Sequence, residues 1–383
     1  MLIAALCVDF AVSIVTLAVQ FLGIHLGASA MVLGLYGTVG SLVYGVAALV
    51  AGRVADRFGR RVAAVAVVLV AIVWIAVGYQ KSPLTLLYLL PISSVMMAFF
   101  WPPAQAWIGD LVSGRKQLNL VLGNFNLLWT TGLMLGPVVC AYLWLTNQLA
   151  PFYAGAAILL SVAAALMTVP RKQQSSHADM TVEEIATAEE LDGVDERADF
   201  YLPMAWTANF VSWSAVGLIR TLFPKLAHDL GFSEVMTGWL TFAYYFGQLG
   251  VFVAVRQITS WQYKRWPLVV GLLGGMIGMG GAWLGHSPII FAISFAAAGL
   301  SVGLTYVASL YYSLHAPADR RGRRAGIHEM TVGAGGALGP LLGGAVATYY
   351  GVQAAFAALA AMFAVATVVF VVWSKVRRKP KGI

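Results

Sequence analysis

Apolar stretches long enough to cross a membrane recur about every thirty residues along the chain, and short polar segments separate them. A bilayer core is crossed by about 20 apolar residues in helical form, so each stretch predicts one membrane-spanning helix. Twelve spans are predicted, at 2–24, 31–52, 62–79, 84–110, 121–145, 151–169, 200–223, 235–256, 266–285, 288–312, 325–350 and 352–374. The pattern therefore predicts an all-α membrane protein with six helices in each half.

The composition agrees with this prediction. Hydrophobic residues make up 60% of the chain and charged residues 10%, and the mean hydropathy of +0.80 excludes the soluble globular classes. Cys7 and Cys140 fall inside predicted spans, which does not indicate a disulfide framework. The first apolar run begins at Leu2 without a basic segment before it, so no cleavable signal peptide is predicted and the true start could lie upstream.

The basic residues predict the orientation of the chain in the membrane. Loops after the even-numbered helices, together with the C-terminal tail, hold 21 of the 24 lysines and arginines; Lys81, Arg220 and Lys225 fall elsewhere. Basic residues concentrate in cytoplasmic loops, so both termini are expected in the cytoplasm. The net charge of +8 then reflects topology and not nucleic-acid binding.

One long polar segment, 171–199, divides the chain. It holds nine acidic residues, and its simplest role is to link two membrane halves, with a regulatory role as the alternative. The expected organisation is an N-terminal six-helix bundle at 1–170, this cytoplasmic linker, a C-terminal six-helix bundle at 200–374 and a basic cytoplasmic tail at 375–383.

The two halves share a glycine-proline phrase at a separation of 203 residues. Its copies are Gly123, Gly132, Gly136 and Pro137 in the first half, and Gly326, Gly335, Gly339, Pro340, Gly343 and Gly344 in the second. The Leu-Gly-x-Ser sequence at 26–29 also recurs, at 230–233. Such markers indicate a unit duplicated head to tail. With six helices per copy the repeats are parallel, an arrangement typical of transporters that bind their substrate between the halves.

The loop after the second helix contains a compact motif of glycines and charges. Its defining residues are Gly52, Asp56, Arg57, Gly59, Arg60 and Arg61. This motif resembles that of the major facilitator superfamily in the same loop, and the duplicated twelve-helix layout extends the resemblance over the whole chain. The resemblance implies a secondary transporter in a bacterial inner membrane that moves a small organic solute.

The resemblance also implies a latch between the halves. Asp56 is expected to meet the N-terminal end of the eleventh helix, where the helix dipole favours negative charge, and an arginine of the loop is expected to pair with Asp110. The alternative is a loop that only anchors topology, which would not require an aspartate. The second copy has Thr259 and Ser260 at the equivalent place, so a latch would be asymmetric.

The glycine-proline phrase is similar to a helix 5 motif of proton-linked exporters in the same superfamily. Small residues at three- and four-residue spacing allow a neighbouring helix to approach closely. The first copy departs from the pattern, since Cys140 and Ala141 replace its last two glycines. The resemblance favours export over import, although the complete motif lies in the eleventh helix.

Two carboxylates lie well inside the predicted spans. Asp9 belongs to a polar stripe with Ser13, Thr16 and Gln20, which share one face of the first helix. Because an ionisable residue there costs roughly 2.5–3.5 kcal/mol on insertion scales, it indicates a function by default. We expect Asp9 to be the proton-coupling site; the alternative is a structural hydrogen bond. Glu329 has two interpretations, a coupling role or a first-turn acid that meets arginines 320, 321, 323 and 324.

Further polar and aromatic residues within the spans are candidates for a substrate cavity: Gln105, Asn124, Asn209, Trp213, Tyr245, Gln248 and Tyr306. Arg220 could meet an anionic substrate, pair with Asp229 or mark the membrane interface, and the last two options are favoured. No nucleotide-binding loop, hydrolase motif or metal-binding motif is present in the sequence, so no enzyme, cofactor or metal is expected.

The sequence thus predicts a monomeric, proton-coupled exporter of a small, fairly apolar or cationic compound. A sugar or metabolite importer of the same fold is the first alternative, because tryptophan, asparagine, glutamine and tyrosine would also suit a sugar. A membrane sensor that does not transport is the second.

Overall fold

The computed structural model of the chain describes residues 2–58, 61–101, 115–168, 192–258, 260–314 and 318–376. Within these ranges regular secondary structure is helical throughout and forms twelve helices. The first six are α1 (Leu2–His25), α2 (Ala30–Phe58), α3 (Val62–Gly78), α4 (Pro83–Ala98), α5 (Arg115–Thr146) and α6 (Ala150–Thr168). The others are α7 (Asp192–Asp229), α8 (Glu234–Gln257), α9 (Trp266–Leu284), α10 (Pro288–Leu314), α11 (Ala318–Tyr350) and α12 (Val352–Val376). The all-α, twelve-helix prediction is confirmed.

Most of these helices suit a membrane by length and composition. Nine of those in the described ranges are long and apolar enough to cross one, and α3 and α4 are apolar but shorter. The long helix α7 is more polar, since it carries Asn209, Ser212 and Arg220. Most of its residues between Ala205 and Leu226 are buried by neighbouring helices. Polar side chains are tolerated there because they face other helices and not lipid.

Three helices begin six to eight residues earlier than their apolar stretches predict. They are α5, which begins at Arg115, α7, which begins at Asp192, and α11, which begins at Ala318. Glu329 therefore lies about 16 Å along α11, at 1.5 Å per residue, and its interpretation as a first-turn acid is wrong. Arg324, one of the arginines expected to meet it, instead pairs with Asp199 at 2.5 Å.

The repeated glycines pack equivalent helix pairs in the two halves. A β-carbon on Gly132 would collide with the carbonyl oxygen of Leu6, which fixes α5 against α1. A β-carbon on Gly335 would collide in the same way with the carbonyl oxygen of Phe210, which fixes α11 against α7. Only glycine permits so close a backbone approach.

The third glycine of each phrase repeats this contact one turn further on. A β-carbon on Gly136 would lie 2.9 Å from the carbonyl oxygen of Phe10, and one on Gly339 would collide with that of Ser214. Leu6 and Phe10 are followed 204 residues later by Phe210 and Ser214. The duplication read from the sequence is therefore also a duplication of contacts.

Equivalent contacts also join the two halves. On one side α2 meets α11, where a β-carbon on Gly34 would collide with the carbonyl oxygen of Pro340. On the other side α8 meets α5, where a β-carbon on Gly238 would lie 2.7 Å from the carbonyl oxygen of Pro137. Gly34 and Gly238 are equivalent positions of the two copies, and so are Pro137 and Pro340. The two contacts are therefore counterparts, which gives the molecule an approximate twofold axis between the halves.

The contact between α2 and α11 is close near the start of α2 and is lost further along it. The hydroxyl of Thr38 donates a 3.1 Å hydrogen bond to the carbonyl oxygen of Ala337. Beyond it, a β-carbon added to Gly45 of α2, or to Gly333 of α11, would have no neighbour within 4 Å. The halves are therefore closed together at the end of the bundle where α1 ends and α2 begins.

The repeated Leu-Gly-x-Ser sequence forms the turn between the first two helices of each half. Gly27 and Gly231 adopt φ values of 78° and 74° after α1 and α7, a left-handed conformation that glycine adopts without strain. Ser29 and Ser233 then accept hydrogen bonds from the backbone N–H groups of the residues three positions later, at 3.3 and 3.2 Å. The motif is thus a helix stop followed by a helix start.

Candidate functional site

A small cavity lies where α1 and α5 of the first half meet α7 and α8 of the second. Its volume of about 20 Å³ has room for about one water molecule. The polar groups of its wall are Ser13, Thr16, Arg220, Thr241 and Tyr245, and the apolar part consists of Val12, Leu17, Leu133, Pro137, Ile219 and Pro224. Both halves therefore contribute to one partly apolar site.

Arg220 is the charged residue of this cavity wall. Its Nε–H donates a 2.6 Å hydrogen bond to the Tyr245 hydroxyl, and its guanidinium carbon lies 5.6 Å from the centre of the tyrosine ring. The favoured sequence interpretations placed Arg220 beside Asp229 or at the membrane interface. Asp229 instead forms an ion pair with Lys225, which lies one turn earlier on α7. Arg220 lies in the cavity wall between the halves.

Asp9 lies one turn before Ser13 on α1 and is 8% exposed. It lies within electrostatic range of Arg220 across the boundary between the halves. No salt bridge or hydrogen bond of its carboxylate occurs among the described residues. A buried carboxylate on one half thus lies within electrostatic range of a partly buried guanidinium on the other, without direct contact.

The remaining residues of the α1 stripe face neighbouring helices. The Ser13 hydroxyl donates a 2.8 Å hydrogen bond to the carbonyl oxygen of Leu133 on α5, and Thr16 lines the cavity. Gln20 is 2% exposed, and its buried Oε1 has no hydrogen-bond partner among the described residues. The stripe therefore runs along the boundary between the halves.

Four of the predicted cavity residues of the second half are not in the wall of this cavity. The Asn209 amide donates a 2.9 Å hydrogen bond to the Thr331 hydroxyl, while the buried Nε1 of Trp213 and Nε2 of Gln248 have no partner in the described part of the chain. The ring of Tyr306 lies 6.0 Å from the ring of Trp129 on α5 and 6.2 Å from that of Trp213. The rings of Trp129 and Trp213 therefore form an aromatic cluster with Tyr306.

Asn124 and Glu329 lie apart from the cavity. The Asn124 side chain accepts a 2.9 Å hydrogen bond from Arg256, which joins the start of α5 to the end of α8. Asn124 is therefore not in the wall of this cavity. Glu329 is exposed and lies within electrostatic range of Tyr44 and Tyr306.

Much of the predicted gating loop lies outside the described residues. Gly59, Arg60, Asp110 and the cavity candidate Gln105 belong to the ranges that the structure does not describe. Gly52, Asp56 and Arg57 belong to the end of α2, but their side chains are not described; Arg61 is exposed before α3.

The structure also shows a buried polar seam that the sequence analysis missed. Ser301, Thr305, Ser309 and Ser313 recur at every fourth position of α10, and all four are 0% exposed. Ser212 and Trp206 of α7 hydrogen-bond to Ser301 and Ser313 at 3.0 Å. His328 of α11 hydrogen-bonds to Ser309 at 2.8 Å. The four-residue spacing of these hydroxyls is visible in the sequence and, like the spacing of the α1 stripe, predicts one polar face of a helix.

Comparison with known proteins places the chain in a family. A model described as the Major Facilitator Superfamily matches residues 1–190 and 205–383. No curated protein sequence matches the chain.

Solved structures agree on the fold. A bacterial homologue of the human lysosomal transporter Spinster, crystallised in an inward-facing, unoccupied conformation, matches with 17% identity and a TM-score of 0.75, over 98% of this chain and 96% of its own. The nucleoside transporter NupG matches at 13% identity with a TM-score of 0.73, over 98% of each chain. A POT family transporter solved with 5-aminolevulinic acid matches at 13% identity and 0.75, over 98% of this chain and 95% of its own.

Proposed function

We propose, given that the chain belongs to the major facilitator superfamily and is a membrane transporter, that it moves a small organic solute by alternating access with protons as the coupling ion. The observation that carries this proposal is the combination of buried Asp9 on one half with partly buried Arg220 on the other, at the cavity between them. No enzymatic role is proposed.

The moving parts are the two bundles, 1–170 and 200–374, joined by the linker at 171–199 and followed by the tail at 375–383. The contacts at Gly34 and Gly238 close one end of the boundary between them, and rocking about the twofold axis would open that end and close the other. The arrangement of lysines and arginines supports a plasma-membrane topology with both termini cytoplasmic, so the closed end would face outward. Labelling of cysteines introduced at each end in intact cells would test this orientation. We propose that the protein acts as a monomer, since each copy contains both halves.

Asp9 is proposed as the proton-binding group, because it is buried and its carboxylate has no hydrogen-bonding partner among the described residues. Replacement by asparagine keeps the size and fixes a neutral side chain. In Asp9→Asn we expect solute flux that no longer responds to a pH gradient, with the protein still folded. Unchanged pH dependence in that variant would remove Asp9 from the mechanism. Glu329→Gln is the companion variant, because Glu329 is the second proposed coupling residue.

The sequence favours export, through the glycine-proline phrase of α5. The structure accounts for Gly132 and Gly136 by helix packing, and for their counterparts on α11 by the same packing. A second candidate, uptake of a metabolite together with a proton, is favoured by the presence of Arg220 in the cavity wall. The direction in which the lumenal pH of proteoliposomes changes during solute entry separates the two.

The loop motif is proposed as a latch on the cytoplasmic side, formed by Asp56 with α11 and by an arginine of the loop with Asp110. Its support is the match of the motif in sequence. Asp56→Asn should lower the transport rate without changing which solutes are bound, and a rate equal to that of the unmodified protein would leave the loop as a topology anchor.

A further inference from the structure

The guanidinium of Arg220 has unused hydrogen-bonding capacity inside the protein. An arginine carries five N–H donors in a planar fork, and one of them, on Nε, is used by Tyr245. The N–H groups on the two terminal nitrogens meet no acceptor among the described residues, and the side chain forms part of the cavity wall. The donors best suited to bind a planar oxyanion with two parallel hydrogen bonds therefore face the site between the halves.

The charge of Arg220 is also incompletely balanced. A cation within a membrane span is stable only when an anion compensates it or when water reaches it. Asp9 supplies a counter-charge from the opposite half, but at a distance and without a salt bridge in the described part of the chain. When Asp9 is protonated, this compensation disappears. The cavity then holds a cation next to an apolar wall formed by side chains such as Leu133 and Ile219.

We propose that the transported solute is a small organic monoanion with an apolar body, and that Arg220 and Tyr245 bind its oxyanion group. This inference rests on the transport function proposed above and names the class of its substrate. One guanidinium compensates one negative charge, which selects monoanions. A carboxylate, a sulfonate and a phosphate diester share the required oxyanion chemistry and carry one negative charge. The cationic compounds suggested by the sequence would instead be repelled.

The same geometry couples the anion to the proton. A neutral Asp9 leaves Arg220 uncompensated and so strengthens anion binding, and a bound anion in turn makes protonation of Asp9 easier. The proton and the monoanion therefore bind together and add no net charge to the site, which favours movement in the same direction. The other groups within electrostatic range of Asp9 are phenols, namely Tyr44, Tyr245 and Tyr306, and Glu329 lies near two of them.

The test measures thermal stabilisation of the purified full-length protein by a series of ligands with one ring and different charge. The anions are benzenesulfonate, benzoate and methyl phenyl phosphate, each with one negative charge; benzamide is neutral and benzyltrimethylammonium is cationic. We expect stabilisation by one or more anions and not by the other two compounds. The identity of the effective anion distinguishes sulfonate, carboxylate and phosphate recognition. Equal stabilisation by benzamide or the cation, or none by any anion, would overturn the proposal.

Two variants make the test specific to the site. Arg220→Gln should weaken the affinity for the effective anion by roughly 10- to 100-fold, the usual loss for a hydrogen bond to a charged group. Lys225→Gln removes the same charge from α7 outside this cavity and should leave the affinity unchanged. If both variants bind the anion as tightly as the unmodified protein, Arg220 does not bind the anion.

The pH dependence of binding tests the link to Asp9. In the unmodified protein the anion should bind more tightly at about pH 6 than at about pH 8, where carboxyl groups are more often ionised. Asp9→Asn should bind tightly at both, whereas a structural role for Asp9 would leave the pH dependence in place. Anion binding without flux in proteoliposomes would refute the transport function but not the anion-binding role of Arg220. Proton-linked flux of a neutral or cationic solute would refute the anion-binding role of Arg220 but not the transport function.

Discussion

The contact between α5 and α8 provides a direct test of alternating access, through the substitution Gly238→Ala. The new β-carbon would lie 2.7 Å from the carbonyl oxygen of Pro137 and 3.0 Å from the β-carbon of Ala141, whereas ordinary contact begins at 3.4 Å. The helices must therefore separate by about 0.7 Å at this point. Overpacking of this kind costs roughly 1–3 kcal/mol, and the cost applies only to the conformation in which this end is closed.

The expected result is a shift of the population toward the conformation that is open at this end. A cost of 1–3 kcal/mol corresponds to a change of roughly 5- to 150-fold in the equilibrium. Thr16 lines the cavity, so Thr16→Cys reports access to it. In a background without Cys7 and Cys140, we expect a membrane-impermeant maleimide added outside intact cells to label this cysteine faster by that factor when Gly238→Ala is present.

The matched control is Gly250→Ala on the same helix, since a β-carbon there has no neighbour within 4 Å. It changes glycine to alanine in α8 without altering the contact between the halves. Equal labelling rates in the two variants would refute the reasoning, because the close approach at Gly238 would then have no part in closing the outer end. Gly34→Ala, at the equivalent contact of α2 with α11, should act in the same direction.

Three further predictions concern stability and the other end of the molecule. Ser309→Ala removes the 2.8 Å partner of buried His328 and should lower the free energy of unfolding by about 1–3 kcal/mol, measured by thermal denaturation in detergent; an unchanged melting temperature would contradict the pairing. Gly231→Ala places a β-carbon at a φ of 74° and should cost about 1 kcal/mol or more in the same assay, unless the turn can change conformation. Arg256→Gln breaks the hydrogen bond to Asn124 that joins α5 to α8 and should increase labelling of the cavity from the cytoplasmic side; labelling at the original rate would show that this bond does not hold the halves together.

The repeat was predictable because its markers are imposed by backbone geometry. Gly132 and Gly335 sit where a carbonyl oxygen of the neighbouring helix leaves no space for a β-carbon, and Gly27 and Gly231 sit at left-handed turns. Such positions accept few residues other than glycine, so they stand out from a single sequence. Gly123 and Gly326, the first glycines of the phrase, have no neighbour that would meet a β-carbon, and the contacts offer no reason for them.

The helix ends were less predictable, because hydropathy marks where a helix leaves the apolar layer and not where it ends. The residues that precede the apolar stretch of α11 are charged, yet the helix already begins at Ala318. This extension moved Glu329 away from the first turn and left Arg324 to pair with Asp199 of α7. For the same reason the start of α5 extends beyond its span, which places Asn124 beside Arg256.

The surroundings of Arg220 could not be predicted from its own helix. Its partner Tyr245 comes from α8 and its counter-charge Asp9 from α1, so the site depends on how three helices are rotated about their axes. Periodicity gives the polar face of a helix but not the helix that this face meets. The α1 stripe was predicted from its spacing, whereas the pairing of that stripe with an arginine from the opposite half required the fold.

The central claim is that proton and solute movements are linked through Asp9, and the most direct measurement is the lumenal pH of proteoliposomes during solute entry. A pH-sensitive dye is enclosed, and the anion that gives the largest thermal stabilisation is added outside, with benzenesulfonate preferred because it crosses bilayers poorly. Because the site at Arg220 and Asp9 favours movement of the proton and the anion in the same direction, over the export that the glycine-proline phrase favours, we predict lumenal acidification that follows solute entry in the unmodified protein and is absent in Asp9→Asn. Solute entry without a pH change in the unmodified protein, or equal acidification in Asp9→Asn, would contradict it.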